Sequence, residues 1–396
     1  MLEKLWDPLL TWYQMCRRDL PWRRDKDPYH IWVSEIMLQQ TRVAAVIPYY
    51  ERFLKRLPDI ATLASCGDEE LDKLWEGLGY YSRVHNMKKT AQILVKEYKA
   101  AFPKTEVELL KLPGIGPYTA GAIGSIAFGL PIPAVDGNVL RILARILNDE
   151  NDIADPKVKK EKEELLRASM PEGHAGDWNQ ALMELGATVC LPNGEPHCGE
   201  CPIWDQCEAH RLGKENTLPV KRTKKARKIQ KKTVFLIRDG DNILLKKRSE
   251  KGLLAGLYGL PETEGFLSVE DVLKWVEKMG FLPLKIQELG PAKHIFTHIE
   301  WHMIGYEIRV ADTALDPASA DLENHKGKAL QLPNDDSVFY ILAQPEDVRK
   351  RYSIPSAYAA YLRKTHVLPH TASYDNTDRS ERTGKKRKSN ESWNGI

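Results

Sequence analysis

Four of the six cysteines lie close together in one segment, with the spacing Cys190-x7-Cys198-x2-Cys201-x5-Cys207. Four thiolates in so short a segment could hold either a tetrahedral zinc ion or a four-iron cluster. Zinc sites more often use two Cys-x2-Cys pairs, and only one such pair is present, so the pattern favours iron–sulfur. Disulfides are the weaker alternative, because the crowding of the cysteines indicates a metal site in a reducing compartment.

A second chemical signal is the stretch LPGIGPYTAGAI, residues 112–123. Gly114 and Gly116 allow a tight turn and a close approach of another chain, and Pro117 suits the first turn of a helix. The amide groups and the dipole at that helix start favour an anion such as a phosphate. The pattern predicts a helix-hairpin-helix that binds the DNA backbone; an ordinary tight turn between core helices is the alternative.

Two carboxylates, Glu35 and Asp136, stand where they could do acid–base chemistry. Glu35 lies in the apolar run YHIWVSEIMLQQT, where burial would raise its pKa and hold a proton near neutrality. The plainer interpretation is a surface glutamate that shares a helical face with Gln39 and Arg42. Asp136 precedes Gly137 and an amphipathic run, so it is predicted to cap a helix. A cap beside a phosphate-binding turn would also point at bound DNA.

The elements that must carry these residues divide the chain into unlike parts. Residues 1–210 show helical periodicity broken by Pro and Gly, which predicts an all-helical region. We expect a six-helix part at about 21–127 and a cluster-bearing part made of 1–20 with 128–210. Residues 211–232 contain ten Lys or Arg and one Glu, which is typical of an extended basic linker.

Residues 233–363 differ from the first half, because strand-like and helical runs alternate there. TVFLIRDGDNILLKKR predicts a hairpin at Asp239–Gly240, and SVEDVLKWVEKMG predicts a helix capped by Ser268 and ended by Gly280. HIFTHIEWHMIGYEI alternates as a single strand. The pattern predicts an α+β domain. Residues 364–396 are polar and poor in aliphatic side chains, which predicts a disordered tail.

Composition excludes some classes of protein. The chain has 396 residues, a net charge of +3 and a hydrophobic share of 42%. No run reaches the ~20 apolar residues of a membrane span. The start, MLEKLWDPLLTWYQ, has early acidic residues and no cleavage-site pattern, so we expect an amphipathic helix rather than a signal peptide. We expect a monomeric, cytoplasmic, DNA-associated protein of bacterial type without a membrane partner.

The helix-hairpin-helix, the following aspartate and the four-cysteine loop resemble, in that order, the endonuclease III superfamily of base-excision DNA glycosylases. Within it, LPWR (20–23), SEIMLQQT (34–41), GLGYYSR (77–83) and WNQALMELGATVC (178–190) resemble the MutY-type adenine DNA glycosylases, over about residues 5–207. The resemblance implies an all-α helix-hairpin-helix glycosylase domain with an iron–sulfur cluster loop, followed by an α+β Nudix-like recognition domain. It also implies that adenine opposite 8-oxoguanine or guanine in duplex DNA is flipped out and removed by hydrolysis, leaving an abasic site.

The resemblance also implies roles for residues at matching positions. Glu35 would protonate adenine at N7, Asp136 would stabilise the sugar cation, and Asn138 would hold that carboxylate or the water. The remaining implied contacts are an adenine pocket of Trp22, Arg23 and Gln180; an opposing-base and intercalating set of Gln40, Thr41, Leu78, Tyr80, Phe296, Thr297 and His298; and a DNA-backbone set of Gly114, Gly116 and Tyr118. The implied cofactors are one [4Fe-4S] cluster on Cys190, Cys198, Cys201 and Cys207 and a monovalent or calcium-type cation at the helix-hairpin-helix.

Tyr118 stands where superfamily members that also cut the DNA backbone have a lysine. A lysine amine forms a Schiff base with the sugar and a phenol cannot, so we predict no genuine lyase activity. We expect its side chain to be exposed in the first helical turn, where its hydroxyl would support the reaction intermediate alongside Asp136. Two other features depart from the family. The gap between the first two cysteines holds seven residues in this chain, whereas it usually holds six in the family. Thr297 stands where the family commonly has the serine of a Phe-Ser-His motif.

The same sequence also offers rival functions. GLLAGLYGLPE resembles the start of a Nudix box, but the next helix lacks the Arg-Glu-x-x-Glu-Glu cluster that holds magnesium, so we expect no nucleotide hydrolysis. His294, His298 and His302 recur every four residues, yet they lie on a predicted strand, so we expect no metal there. A glycosylase for thymine or oxidised pyrimidines and a non-catalytic DNA-binding protein are the remaining alternatives.

Overall fold

A computed structural model describes residues 2–221, 226–249, 251–311, 328–330 and 339–368. The chain divides into two compact units, one of residues 1–74 with 80–224 and one of residues 75–79 with 225–396. We call them the helical unit and the sheet unit. The predicted disorder of the tail concerns residues that, from 369 onward, lie outside the described part of the chain. None of the described helices is long and apolar enough to cross a membrane.

The helical unit consists of helices and connecting turns, as predicted. Its α-helices are α1 Trp6–Cys16, α2 Pro28–Leu38, α3 Val43–Arg56, α4 Ile60–Ser65, α5 Asp68–Trp75, α6 Ser82–Tyr98, α7 Glu106–Leu109, α8 Pro117–Phe128, α9 Gly137–Ile146, α10 Pro156–Ala168, α11 Ala175–Thr188 and α12 Glu208–Arg211. Short 3-10 turns lie at Leu2–Leu5, Pro21–Arg23, Cys198–Glu200 and Trp204–Gln206.

Helix α2 is a core helix. The Asp27 side chain caps it by accepting a hydrogen bond from the backbone N–H of Tyr29 at 2.8 Å, and Pro28 occupies its first turn. Every residue from Ile31 to Met37 is buried, so this helix is enclosed on all sides rather than amphipathic. A glutamate in that run, Glu35, therefore lies inside the protein.

Helix α8 is rich in Gly and Ala because other backbone passes close to it. A Cβ atom at Gly121 would lie 2.3 Å from the carbonyl oxygen of Pro133, so no larger residue fits without displacing backbone. This close approach places the segment that leads to Asp136 directly against α8. Helices α1, α9 and α11 share one hydrophobic core that includes Tyr13, Val139 and Trp178.

The segment predicted to be an extended linker, 211–232, is partly packed and partly strand. Leu218 is buried, and its carbonyl oxygen accepts a hydrogen bond from Arg145 Nε at 3.0 Å. The chain enters a strand at Lys228, before the predicted end of the linker. The segment packs because the apolar run Leu-Pro-Val, residues 218–220, interrupts its charged residues. Residues 222–225 lie outside the described part of the chain.

The sheet unit contains a mixed sheet with helices. Its strands are β1 Lys228–Asp239, β2 Asn242–Lys247, β3 Tyr258–Gly259, β4 Glu262–Glu264, β5 Pro283–Ile295, β6 Ile299–Val310, β7 Lys328–Leu330 and β8 Tyr340–Ala343, and its helices are α13 Val269–Lys278, α14 Pro345–Lys350 and α15 Ala359–Lys364. The main path runs β5-β6-β1-β2-β8-β7. β1 and β6 are parallel, and the other pairs are antiparallel.

Most predicted elements of this unit are present, and one prediction is wrong. β1 and β2 form the hairpin around Asp239, and Ser268 caps α13 through the backbone N–H of Asp271. The segment HIFTHIEWHMIGYEI is not a single strand, because β5 ends at Ile295 and β6 begins at Ile299. A tight turn, closed by a hydrogen bond from Phe296 N to Ile299 O at 2.8 Å, reverses the chain there.

Candidate active site

A cavity of about 520 Å³ in the helical unit brings together most of the residues predicted for the reaction and the adenine pocket. The predicted residues that line it are Glu35, Asp136, Tyr118, Asn138, Trp22, Arg23, Gln180, Gln40 and Thr41. They come from five separated parts of the sequence, so the fold and not local spacing assembles the site.

Glu35 and Tyr118 form the centre of the cavity. The Tyr118 hydroxyl donates a hydrogen bond of 2.6 Å to Glu35 Oε2. Burial raises the pKa of Glu35 to about 7; the Tyr118 hydrogen bond opposes that shift, and the nearby charge of Asp136 adds to it. Glu35 is thus a carboxyl group that can hold and release a proton near neutral pH.

The position of Tyr118 corrects two expectations. Its side chain is half-buried rather than exposed, and its hydroxyl donates a hydrogen bond to Glu35, with Asp136 lining the same cavity. The same orientation turns the phenol towards the cavity, whereas a contact with the DNA backbone would need it at the surface. The reason is that α8 packs against α2, so the first turn of α8 faces the buried acid.

Asp136 caps α9, as predicted. Its Oδ1 accepts hydrogen bonds from the backbone N–H groups of Asn138 and Val139 at 2.9 and 2.8 Å, and its Oδ2 accepts one from Asn138 Nδ2 at 2.7 Å. Asn138 Oδ1 in turn accepts from Arg141 Nη2 at 2.9 Å, and Arg141 Nε donates to the carbonyl of Cys190 at 2.9 Å. The carboxylate is therefore held in one orientation at the cavity wall.

The predicted adenine pocket contains an ion-pair group that the sequence reasoning missed. Glu184 accepts hydrogen bonds from Arg18 Nε at 2.6 Å and from Arg23 Nη2 at 2.7 Å. Burial would raise the pKa of Glu184, but these hydrogen bonds outweigh it and lower the pKa to about 2. Glu184 follows Gln180 by four residues in WNQALMELG, so helical spacing could have identified it; Arg18 had no comparable signal.

The C-terminal end of α2 is fixed by a second residue that was not predicted. Arg83 Nη1 donates hydrogen bonds to the carbonyl oxygens of Ile36 and Gln39, at 2.5 and 2.9 Å. A cation at this end also complements the helix dipole. Gln40 follows with a positive φ of 61°, so Arg83 positions both the helix that carries Glu35 and the exposed glutamine at the cavity mouth.

Two of the predicted intercalating residues do not line this cavity. Tyr80 is 49% exposed and lies under the Arg83 guanidinium, 5.7 Å from its Cζ to the ring centre. Leu78 is 7% exposed, so its side chain does not project from the surface as a wedge would. The glycines of the predicted DNA-backbone set lie in the turn before α8: Gly114 has a φ of 76°, and Gly116 begins the helix without a side-chain cap.

The predicted opposing-base residues of the sheet unit form the turn between β5 and β6. Phe296 is half-buried and packs edge-on against Trp301, with ring centres 4.9 Å apart. Thr297 and His298 are exposed at the tip. The turn thus presents two polar side chains on an anchored aromatic base.

The cysteine loop has the donors and surroundings that a metal cluster requires. Burial, together with the charges of the other three cysteines, raises the pKa of the Cys201 thiol to about 12, so the sulfurs lie within electrostatic reach of one another. Thiolates in such surroundings need a compensating cation. Arg145 Nη1 donates to Cys190 Sγ at 3.0 Å, a contact that suits a charged cluster. These residues fit an iron–sulfur group.

The additional residue in the first cysteine gap is accommodated by a turn. The backbone N–H of His197 bonds to the carbonyl of Val189 at 3.0 Å, which closes the loop at its base, and Gly194 has a φ of 80°. Cys198 Sγ, a His210 ring nitrogen and a Glu215 oxygen also lie within 4.8 Å of one another. An imidazole and a carboxylate, both of which can bind a metal ion, therefore lie close to Cys198.

Replacing Glu35 by Gln is expected to stabilise the protein at alkaline pH. The pKa of Glu35 in the folded state, about 7, exceeds its ordinary value of 4.5, so the folded protein loses stability as the pH rises through that interval. The amide group of the Glu35→Gln variant does not titrate. The stability difference between this variant and the wild type should therefore grow by up to about 3 kcal/mol from pH 5 to pH 8, as measured by urea unfolding.

The exposed carboxylate of Glu97 on α6 provides the control for this experiment. Glu97→Gln should change the stability equally at both pH values. If the Glu35→Gln difference were also the same at pH 5 and pH 8, Glu35 would not be the buried titrating acid that its surroundings indicate.

Comparison with known proteins gives the family. Residues 33–168 match the HhH-GPD superfamily of base excision DNA repair proteins, and residues 233–364 match the NUDIX domain. The chain is 39% identical to an adenine DNA glycosylase of Buchnera aphidicola subsp. Baizongia pistaciae, over 74% of this chain and 82% of that one.

Two further relatives agree with this match. An adenine DNA glycosylase of Buchnera aphidicola subsp. Acyrthosiphon pisum is 33% identical over 86% of this chain and 92% of its own. The adenine DNA glycosylase of Homo sapiens is 35% identical over 74% of this chain and 64% of its own. With its two matched domains and its buried carboxyl group in the helical one, the chain belongs to the adenine DNA glycosylase family, within the HhH-GPD superfamily of base-excision repair proteins.

Proposed function

We propose that this protein hydrolyses the N-glycosidic bond of adenine that is mispaired with 8-oxoguanine or guanine in duplex DNA. The observation that carries the proposal is the pair of carboxyl groups in one cavity, the buried Glu35 with a pKa of about 7 and the capped Asp136. The names and extents of the relatives support the choice of adenine as the base. The base must leave the helical stack to enter such a cavity.

Glu35 would act as the general acid. Adenine is a poor leaving group when it is neutral, so transfer of the Glu35 proton to N7 lets the electrons of the C1′–N9 bond leave with the base. At pH 7 a carboxyl group with a pKa of about 7 is protonated in about half of the molecules. Tyr118, hydrogen-bonded to Oε2, would fix the orientation of this acid and stabilise the carboxylate that remains.

Asp136 would stabilise the positive charge that develops on the sugar. Three hydrogen bonds hold its carboxylate in place, so no reorganisation is needed when the charge forms. Water then adds at C1′, and its proton returns to the Glu35 carboxylate, which restores the starting state. Asn138 would keep Asp136 in position, and Trp22, Arg23 and Gln180 would line the adenine pocket.

Cys190, Cys198, Cys201 and Cys207 would hold one [4Fe-4S] cluster. Such a cluster would supply a rigid, charged cross-link between loop segments, and its role would be structural or in DNA docking rather than in the hydrolysis. Arg145 and Arg141, which contact Cys190, would fix the loop to α9. The turn at Gly114 and Gly116 would contact the DNA backbone and would hold a monovalent or calcium-type cation, whose charge would offset that of a phosphate.

The first test is single-turnover release of adenine from a duplex with one adenine opposite 8-oxoguanine. The wild type should release the base from this duplex and leave an A:T duplex intact. Glu35→Gln should reduce the rate by about 10²- to 10⁴-fold, and Asp136→Asn by about 10²-fold or more. Glu35→Gln removes the proton donor, and Asp136→Asn removes the negative charge that would stabilise the sugar cation.

Glu97→Gln, the exposed control, should retain the wild-type rate. If the wild type bound the lesion duplex without releasing adenine, the proposal would fail and a non-catalytic DNA-binding protein would be favoured. Release of thymine or an oxidised pyrimidine from other duplexes would instead indicate the other class of glycosylase.

A second test concerns strand cleavage. Because Tyr118 provides a phenol where a Schiff base would need an amine, borohydride should trap no covalent protein–DNA complex through this residue during adenine release. Tyr118→Lys provides the positive control, since it places an amine next to Glu35 and Asp136. A wild-type protein that was trapped as efficiently as Tyr118→Lys would contradict the assignment.

A third test concerns the base opposite adenine. We propose that the hydroxyl of Thr297, an exposed residue, bonds to 8-oxoguanine, next to His298 in the turn that Phe296 anchors. Thr297→Val keeps the shape and removes the hydroxyl, so the preference for 8-oxoguanine over guanine should fall about fivefold, the value of one hydrogen bond. Thr297→Ser should keep the preference. Competition binding with the 8-oxoguanine and guanine duplexes measures the preference of each variant. Equal preferences in Thr297→Val and Thr297→Ser would exclude a hydrogen bond from the Thr297 hydroxyl to 8-oxoguanine.

A further inference from the structure

A group of three possible metal ligands lies at the end of the cysteine loop, in the helical unit. The Cys198 sulfur, a His210 ring nitrogen and a Glu215 carboxylate oxygen all lie within 4.8 Å of one another. This group differs from the four-cysteine set, because only Cys198 is common to both. Neither His210 nor Glu215 takes part in the proposed glycosylase reaction.

Three separate pieces of backbone bring these side chains together. Cys198 begins a 3-10 turn, and His210 lies in α12. After α12, Gly213 has a φ of 66°, and its backbone N–H donates a hydrogen bond to the His210 carbonyl oxygen at 3.2 Å. This tight turn explains how Glu215, which follows α12 in the chain, lies beside His210.

The polar atoms of this group are poorly satisfied by the protein itself. His210 Nδ1 and Glu215 Oε2 are buried, and within the described part of the chain neither has a hydrogen-bond partner. His210 Nδ1 lies 3.5 Å from Glu215 Oε1, but without the geometry of a hydrogen bond. Buried polar atoms are nearly always paired in native proteins, so these two atoms indicate a partner that the neighbouring side chains do not supply.

The charges of the group indicate that this partner is a cation. A thiolate at Cys198 and the carboxylate of Glu215 are two negative groups within 4.8 Å of each other, and like charges at that distance repel. A metal ion between them would remove the repulsion and would accept a lone pair from the His210 imidazole. A water molecule could bond to the same atoms, but it would leave the repulsion in place.

We propose that Cys198, His210 and Glu215 bind one zinc ion beside the cysteine loop. Zinc accepts sulfur, nitrogen and oxygen ligands in one tetrahedral site, whereas magnesium and calcium take oxygen ligands. A water molecule would complete the ligand set. The Cys198 sulfur has more than one lone pair, so it would bind zinc and the iron of the cluster together. The proposal goes beyond the glycosylase reaction, because it requires neither DNA nor base excision.

The position of this ion gives it a structural role. The last of the four cysteine ligands is Cys207, whereas His210 and Glu215 lie in α12 and in the turn that follows it. Zinc would join this later segment to Cys198. A variant without His210 and Glu215 should therefore lose the zinc ion and keep the iron, which has its own four cysteine ligands.

The test uses the full-length protein with its cluster. The protein is incubated with zinc chloride, free ion is removed by gel filtration, and zinc and iron are counted by elemental mass spectrometry. The wild type should retain about one zinc ion per chain, and His210→Ala/Glu215→Gln should bind zinc at least about tenfold more weakly. The control, His174→Ala/Glu172→Gln, removes the same two residue types from exposed positions and should match the wild type.

X-ray absorption at the zinc edge tests the wild type without any variant. One sulfur at about 2.3 Å with nitrogen and oxygen ligands at about 2.0–2.2 Å would support the site. Four sulfur ligands would show that zinc had replaced iron, and the proposal would be overturned. A wild type that retained no zinc, or a ligand variant that matched the control, would overturn it as well. Zinc and iron are counted separately, so these outcomes are independent of adenine release.

Discussion

The burial of one ionisable carboxyl group is the constraint on which the helical unit depends. Glu35 can keep a proton near neutral pH only if water is excluded from it, so the helix that carries it must be enclosed on every side. That requirement explains why α2 is apolar from Ile31 to Met37 apart from Ser34 and the acid itself, and why its ends need polar anchors. Asp27 accepts a hydrogen bond from a backbone N–H group in the first turn of α2. Arg83 donates hydrogen bonds to carbonyl groups at the other end of the helix.

The second carboxylate reaches the same cavity through backbone contact rather than through side-chain packing. Gly121 lets the chain at Pro133 lie against α8, and three residues later Asp136 begins α9. Asp136 is then tied, through Asn138 and Arg141, to the carbonyl of Cys190. The cysteine loop and the cavity wall are therefore parts of one hydrogen-bonded structure, so the folding of the loop and the orientation of the carboxylate are coupled.

Local patterns predicted those features that depend on local rules. The cap at Asp136, the helix after Gly116, the hairpin at Asp239 and the cap at Ser268 follow from residue preferences within a few positions, and each is present. The site contacts that the sequence did not predict depend on distant partners. The contact of Tyr118 with Glu35 joins residues 83 positions apart, and the ion pairs of Glu184 cross more than 160 positions. No periodicity reports such a pairing, although the family resemblance placed Glu35, Tyr118 and Asp136 in one site.

Three glutamates with enclosed carboxyl groups show that burial alone does not decide what such a group can do. Glu184 and Glu262 are each paired with two cations, so their pKa values are lowered in spite of burial. Glu35 is also buried, but its direct partner is a neutral phenol rather than a cation, so burial raises its pKa and the nearby charge of Asp136 adds to the rise. An enclosed carboxylate between two cations fixes their positions, whereas one beside a phenol can exchange a proton. The partners of each glutamate, rather than its depth, therefore separate the two structural carboxylates from the acid.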